Sequence, residues 1–294
     1  MKNAVVFAND IGNIAELTAE ARKYAEQVTL VSCADCFGCA DKVIAYAAEQ
    51  SAAVELVSIV QAILQEGPEL VLCESGRDGK LVAGYLAGKL GTSPLCDIGS
   101  LKVSDEGVEI TRLVYGGSAV KTESCSLPAV MTVPSGTFEP GNAAEAVKEE
   151  MAAFPWAGVE LTGTDALETS SVNLAAAKRV IGAGRGLGSA DNIPAFEKLA
   201  SLLNAEIGCT RPAAEEEHWY TKDRYIGVSG VMLKPSFYMA VGISGQIQHM
   251  VGVNQAGVIF AIDKNENAPI VSQSDYVLVG DINNVLPQLI EKLS

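Results

Sequence analysis

Ser244, Gly245, Gln248 and His249 stand where an apolar run, residues 238–243, ends in Ser-Gly and passes into a segment of helical spacing. A hydroxyl, a glycine, a carboxamide and an imidazole at a strand-to-helix turn can hold a polar or anionic ligand. The first N–H groups of a helix point outward unpaired and carry partial positive charge. His249 is one of only two histidines in the chain. A histidine at a helix start can equally be a satisfied structural group.

A second candidate is Gly182-Ala183-Gly184-Arg185-Gly186-Leu187-Gly188, which follows a strand-like segment and precedes a helical one. Glycines let the backbone turn sharply and let a phosphate approach N–H groups. The spacing is not that of the G-x-G-x-x-G fingerprint, so a plain tight turn explains it as well. Further polar groups close other strand-like runs: Thr210 and Arg211, then Val228, Ser229 and Gly230 within 225–230, then Asp263, then Asp281. Polar tips at several strand ends along one edge of a parallel sheet make a cofactor crevice.

Cys33, Cys36 and Cys39 form a C-x2-C-x2-C run. Iron–sulfur ligation uses such spacing but needs a fourth ligand. Neither a fourth cysteine nor a proline follows Cys39 closely, and Cys73 or Cys96 would have to come from another strand. Ordinary thiols after a strand are the preferred reading, with no metal site.

The elements that must position these residues alternate in type. Residues 2–7, 28–32 and 70–73 read as strands; 14–25, 41–49, 57–65 and 77–90 read as helices, the last stopped by Gly91. This order implies a parallel sheet covered on both faces. Residues 98–103 and 108–115 flank an Asp-Glu-Gly turn and read as a hairpin; 129–133 is a further strand. Residues 136–169 lack a sustained period and read as a linker, with the domains divided as 1–170 and 171–294. In the second domain, 179–184, 205–209, 236–243, 258–262 and 276–279 read as strands, and 194–204 and 283–292 as helices. The expected fold is α/β, with two doubly wound parallel-sheet domains, the C-terminal one Rossmann-like.

The order and spacing of these segments resemble the electron transfer flavoprotein α subunit family throughout the second domain, and more loosely in the first. The resemblance implies that the second domain binds FAD. Arg211 then matches an arginine beside the isoalloxazine ring, where a fixed cation favours the more negative reduced flavin. Thr210 matches a neighbouring hydroxyl residue, and Ser229 a hydroxyl that reaches flavin N5. Val228 and Tyr225 stand where the family has glutamines. His249 matches the histidine near flavin O2. Ser244 and Gln248 match contacts on the diphosphate and ribityl side, with Gly245 between them. Gly184, Arg185 and Gly186 match the turn whose arginine approaches the diphosphate. Asp263, at a position commonly asparagine, and Asp281 match contacts to the adenosine half. The acidic run Glu215-Glu216-Glu217 reads as a solvated face.

The family also implies partners: a β subunit that covers the flavin, an electron-donating dehydrogenase and a quinone-oxidoreductase-type acceptor. Residues 226–231 and 245–252 are most similar to the Fix-type branch. In this reading the chain is an electron carrier, not an enzyme with substrate chemistry. The alternative is a non-redox adenine-nucleotide-binding regulatory module, which would need neither Arg211 nor His249.

Composition is compatible with this reading. The 294 residues are 48% hydrophobic and 19% charged, enough for two cores. A net charge of -15 disfavours nucleic acid and anionic membranes. The apolar runs are too short for a membrane span. The chain is expected to start directly on a strand, without a leader, and seven cysteines, an odd number, suggest a reducing cytoplasm, which the resemblance to the Fix-type branch implies is bacterial.

Overall fold

The structure is a computed structural model that describes every residue except 48–51, 105–106, 116, 118, 143–144, 153–161 and 164–173. The chain divides into two compact units, Met1–Asp165 and Ala166–Ser294. The boundary expected at residues 170 and 171 lies outside the described residues.

In the first unit, β1 (Asn3–Phe7), α1 (Ile11–Arg22), β2 (Gln27–Ser32), β3 (Lys42–Ala45), α2 (Leu56–Gln65), β4 (Leu70–Glu74) and α3 (Arg77–Leu90) lead to a meander. The meander is β5 (Ile98–Ser104), β6 (Gly107–Val114) and β7 (Ala119–Cys125), all antiparallel. Then β8 (Ala129–Val133) and β9 (Val147–Glu150) complete a parallel sheet of order β8-β4-β1-β2-β3-β9. Successive β1 residues serve opposite faces, as the pleat requires. Ala4 and Val6 meet Ile14 and Leu17 of α1; Val5 and Phe7 meet Ile59 and Ile63 of α2 and Leu86 of α3. Each of the larger of these side chains contributes about 1.5–3 kcal/mol of burial free energy.

Two expectations are corrected here. Residues 41–49 do not start as a helix: Lys42–Ala45 is a strand paired in parallel with β2, and 48–49 lie outside the described residues. The alanine-rich segment favours a helix locally, but the open edge of β2 supplies backbone partners, and Val43 and Ile44 are buried there. The presumed linker, residues 136–169, contains β9, which pairs with β3. The hairpin is found, with β7 added as a third strand.

The strand order of this sheet reverses between β4 and β1. At that point the buried Glu74 carboxylate accepts from Asn9 N at 3.0 Å and Asp10 N at 3.2 Å, just ahead of α1. The chain's own anion fills the position where a ligand's anion would bind.

The second unit runs β10 (Arg179–Ala183), α4 (Ile193–Leu202), β11 (Glu206–Cys209), α5 (Arg211–Glu215), β12 (Phe237–Val241), α6 (Ile247–Met250), β13 (Ile259–Asp263), α7 (Pro269–Ser272), β14 (Tyr276–Val279) and α8 (Ile282–Leu293). Its sheet is parallel throughout, in the order β11-β10-β12-β13-β14. Phe196 and Leu199 of α4 and Leu286 of α8 cover one face; Tyr238, Ala240 and Met250 belong to the core on the other. Here the order reverses between β10 and β12, and the site lies beyond that point. No helix among the described residues is long and apolar enough to cross a membrane.

Candidate functional site

Glycines shape the crevice. Gly184 N donates to Val241 O, Gly186 N to Gly242 O, and Gly242 N to Ile262 O, each at 2.9 Å. These bonds draw the turns after β10 and β12 together. A β-carbon at Gly186 would lie 2.6 Å from Gly242 O, and one at Gly184 would strike the same peptide. Gly242 has φ +64°, a conformation that disfavours any side chain. The result is a cavity of about 810 Å³ at the C-terminal edge of the sheet, within the ~300–1,000 Å³ usual for small-molecule sites.

Every strand of the sheet contributes to it. The turn after β10 supplies Arg185 and Gly186, and the β11 end supplies Thr210 and Arg211. The loop before β12 adds Val228 and Ser229; the turn after β12 adds Ser244, Gln248 and His249. Asp263 follows from β13 and Asp281 from the segment after β14. Three expected residues do not line the cavity. Gly184 packs on the Gly242 peptide, Gly230 on the Tyr225 carbonyl, and Gly245, at φ +79°, on the Ile270 backbone. Their close backbone packing sets the positions of the loops around the cavity.

The lining also contains residues not singled out from the sequence. Gly242, Ile243 and Gln246 belong to the same turn as Ser244, while Lys264 and Asn283 neighbour Asp263 and Asp281. Adjacency to a named strand end was the available signal.

Local chemistry explains why these groups are presented. Thr210 is the N-cap residue of α5, followed by Arg211 and Pro212, and its side chain does not cap the helix. Its Oγ1 is buried and has no hydrogen-bond partner among the described residues. Asp281 caps α8, accepting at Oδ1 from Asn283 N and Nδ2, both at 2.8 Å. Asp263 Oδ1 accepts from Asn265 N at 2.8 Å. Val228 N donates to Gln248 O at 2.9 Å, tying the Val228–Ser229 loop to the His249 turn.

His249 is buried, with Nε2 2.7 Å from the Tyr238 hydroxyl. Burial draws its pKa down to about 4, the Ile226 carbonyl acting in the opposite direction. The ring is therefore neutral near pH 7 and carries one proton. Among the described residues, no hydrogen bond of ordinary geometry reaches Nδ1. Buried polar atoms are almost always paired, so Thr210 Oγ1 and His249 Nδ1, both on the cavity wall, mark places for ligand atoms.

Two guanidiniums stand at the rim. Arg211 Nε lies 2.7 Å from Glu215 Oε2, and Arg185 lies 3.3 Å from Glu216. The acidic run is exposed, as expected, but two of its carboxylates pair with cavity arginines. Arg211 holds Glu215 below the usual carboxylate range.

The cysteine triplet lies in the first unit as free, partly buried thiols, with Cys39 Sγ 3.0 Å from Asn142 O. Among the described residues, no three His, Cys, Asp or Glu side chains are grouped as metal ligands.

A parallel doubly wound sheet with a glycine-walled crevice, rim arginines and unpartnered buried polar atoms at its switch point defines a nucleotide-cofactor domain. Comparison with known proteins identifies which kind. The family described as the electron transfer flavoprotein FAD-binding domain matches residues 173–254, and the electron transfer flavoprotein domain matches residues 10–157. Protein FixB of Escherichia coli O139:H28 (strain E24377A / ETEC) is 41% identical over 242 residues, covering 80% of this chain and 77% of that protein. Protein FixB of Escherichia coli O1:K1 / APEC is 41% identical over 237 residues, covering 79% and 76%. The chain belongs to the electron transfer flavoprotein α-subunit family, in its Fix-type branch. Its cofactor is FAD.

Proposed function

We propose that FAD lies along the crevice with its flavin end toward Arg211, Thr210, Ser229 and His249. Its diphosphate lies toward Arg185, Gly186 and Ser244, and its adenosine toward Asp263 and Asp281. The observation that carries this reading is the pair of orphaned buried atoms, Thr210 Oγ1 and His249 Nδ1, on one wall of a cavity rimmed by two arginines. A dinucleotide carries negative charge for the arginines, and a flavin ring carries heteroatoms for the orphans.

Bound FAD supplies the redox chemistry, taking electrons up and giving them up. The protein's part is to bind, orient and bias. Arg211 places a permanent charge beside the ring, favouring its reduced form. His249, neutral and buried, offers a hydrogen bond without adding a charge. The glycine contacts between Gly184, Gly186 and Gly242 admit the diphosphate close to the backbone.

In this reading the chain is an electron carrier of the bacterial cytoplasm, without substrate chemistry of its own. It pairs with a β subunit, receives electrons from a dehydrogenase and passes them to a quinone-oxidoreductase-type acceptor. Denaturing the purified protein with acid and identifying the released compound tests the cofactor site. One FAD per chain supports it; AMP or NAD without FAD would refute it. Carriage is tested by reduction of the complex with its β subunit by a candidate dehydrogenase, followed through flavin absorbance.

A further inference from the structure

Tyr238 and His249 form a buried polar pair whose partner choice has consequences for the cavity. Tyr238 sits on β12 in register with Val180 on one side and Ile259 on the other. Its side chain is fully buried. The hydroxyl reaches over Gly182, where any β-carbon would collide with it. The glycine thus admits the phenol, and the phenol ends 2.7 Å from His249 Nε2.

The pair has two possible arrangements. If Nε2 carried the proton, it would donate to the phenol oxygen, and the phenolic proton would have no acceptor in a buried setting. Nδ1 would then be a bare lone pair. If the phenol donates to Nε2, its proton is satisfied and the imidazole proton moves to Nδ1. A buried hydroxyl without an acceptor is costly, so the second arrangement wins. We propose that Tyr238 is a positioning residue: by donating to His249 Nε2 it fixes the imidazole tautomer with the proton on Nδ1, the nitrogen left free to donate to the bound cofactor. This rests on the reading that FAD fills the crevice and adds what presents the donor.

The ring's neutrality makes the tautomer the deciding variable. With one proton on two nitrogens, Nδ1 is either a donor or an acceptor toward the cofactor. A donor suits an oxygen that gains negative charge on reduction; an acceptor would repel it.

The test is long-range 1H–15N correlation of the imidazoles in the uniformly 15N-labelled full chain, first without added FAD. His249 and the exposed His218 are the only two histidines, so two ring systems appear. The expected result for His249 is a pyrrole-type Nδ1 and a pyridine-type Nε2. A pyridine-type Nδ1 in the wild type would overturn the proposal, whatever FAD does. In Tyr238→Phe the bias should be lost, with Nε2–H appearing; an unchanged tautomer there removes Tyr238 from the role. Should that variant not fold, the wild type still decides through coupling across the bond, from the Tyr238 hydroxyl proton to His249 Nε2. Its presence supports donation by the phenol, and an Nε2-bound proton contradicts it. FAD is then added to wild type and Tyr238→Phe. Binding should move the Nδ1–H signal in the wild type and be about tenfold weaker in the variant, the worth of one hydrogen bond. The expected tautomer without any FAD binding would defeat the site reading and leave the tautomer standing. FAD binding with a pyridine-type Nδ1 would do the reverse.

Discussion

Replacing His249 by glutamine should flatten the acid limb of the second unit's stability. In the folded chain burial draws the His249 pKa from 6.5 to about 4. Above pH 6.5 the ring is neutral in both folded and unfolded states, and it adds no pH dependence. As pH falls below 6.5 the unfolded chain takes up a proton that the folded chain refuses. Stability is therefore lost progressively until about pH 4, below which both states are protonated and the loss stops. The shift of 6.5 minus about 4, at ~1.4 kcal/mol per unit, gives a loss of about 3 kcal/mol across that window. Glutamine keeps a polar partner for the Tyr238 hydroxyl and cannot titrate. Urea unfolding of FAD-free wild type and His249→Gln, from pH 8 down to 4, should give curves that run parallel above 6.5 and converge or cross below it. Trp219 fluorescence in a Trp156→Phe background reports the second unit, because the chain has only those two tryptophans. Titrating carboxylates act in both proteins and cancel in the difference. Curves that stay parallel from pH 8 to 4 would show that His249 is not buried as a neutral ring.

Arg211→Ala should lower the flavin midpoint potential while weakening FAD binding by less than about tenfold, and Arg211→Lys should restore only part of the potential; a reductive titration of the complex with its β subunit checks both. Glu215→Gln removes the carboxylate paired with Arg211 at 2.7 Å, so it should raise the same potential, with an effect that shrinks in high salt because the pair is exposed. Gly184→Ala forces a methyl group against the Gly242 peptide; it should cost about 3 kcal/mol in urea unfolding and abolish FAD retention.

The fold and most of the cavity wall were readable from the chain because both depend on local signals. Short apolar runs marked the strands of the second sheet, and the polar or glycine residues ending them marked its ligand edge. That is how Thr210, Arg211, Ser244, His249 and Asp281 were found without coordinates. Gly184, Gly230 and Gly245 stand just outside the cavity lining, each packed against backbone. Glycine in a sequence signals close approach, but not whether a ligand or another stretch of backbone is what approaches. Residues 41–49 were misread because a run of alanines has helical propensity, whereas the strand pairing that prevails comes from β2. The partnership of Tyr238 and His249 was invisible because Tyr238 reads as one more apolar strand residue. Only the turn after β12 brings the imidazole back over the phenol. The ion pairs of Glu215 and Glu216 were missed for a similar reason, since a run of like charges carries no mark of its partners.

Why the second unit holds the crevice follows from side chains rather than from topology. Both units have a parallel sheet whose strand order reverses near its middle, β4 to β1 in one and β10 to β12 in the other. Such a reversal parts the loops and leaves N–H groups facing the gap. In the first unit Glu74 accepts from Asn9 N and Asp10 N, so an incoming phosphate would have to displace a buried carboxylate. In the second, glycines occupy the corresponding turns, and the cavity wall carries Arg185, Arg211 and Lys264, with Asp263 and Asp281 also lining it. A chain of net charge -15 disfavours anions over most of its surface, so in the proposed placement of FAD the guanidiniums at one sheet edge select where its diphosphate settles. Their exposed partners, Glu215 and Glu216, lower the cost of keeping them there and yield more easily than a buried Glu74. On the proposed placement of FAD, the same architecture is closed to anions at one reversal and open at the other, and exchanging the residue types at those turns should exchange that property.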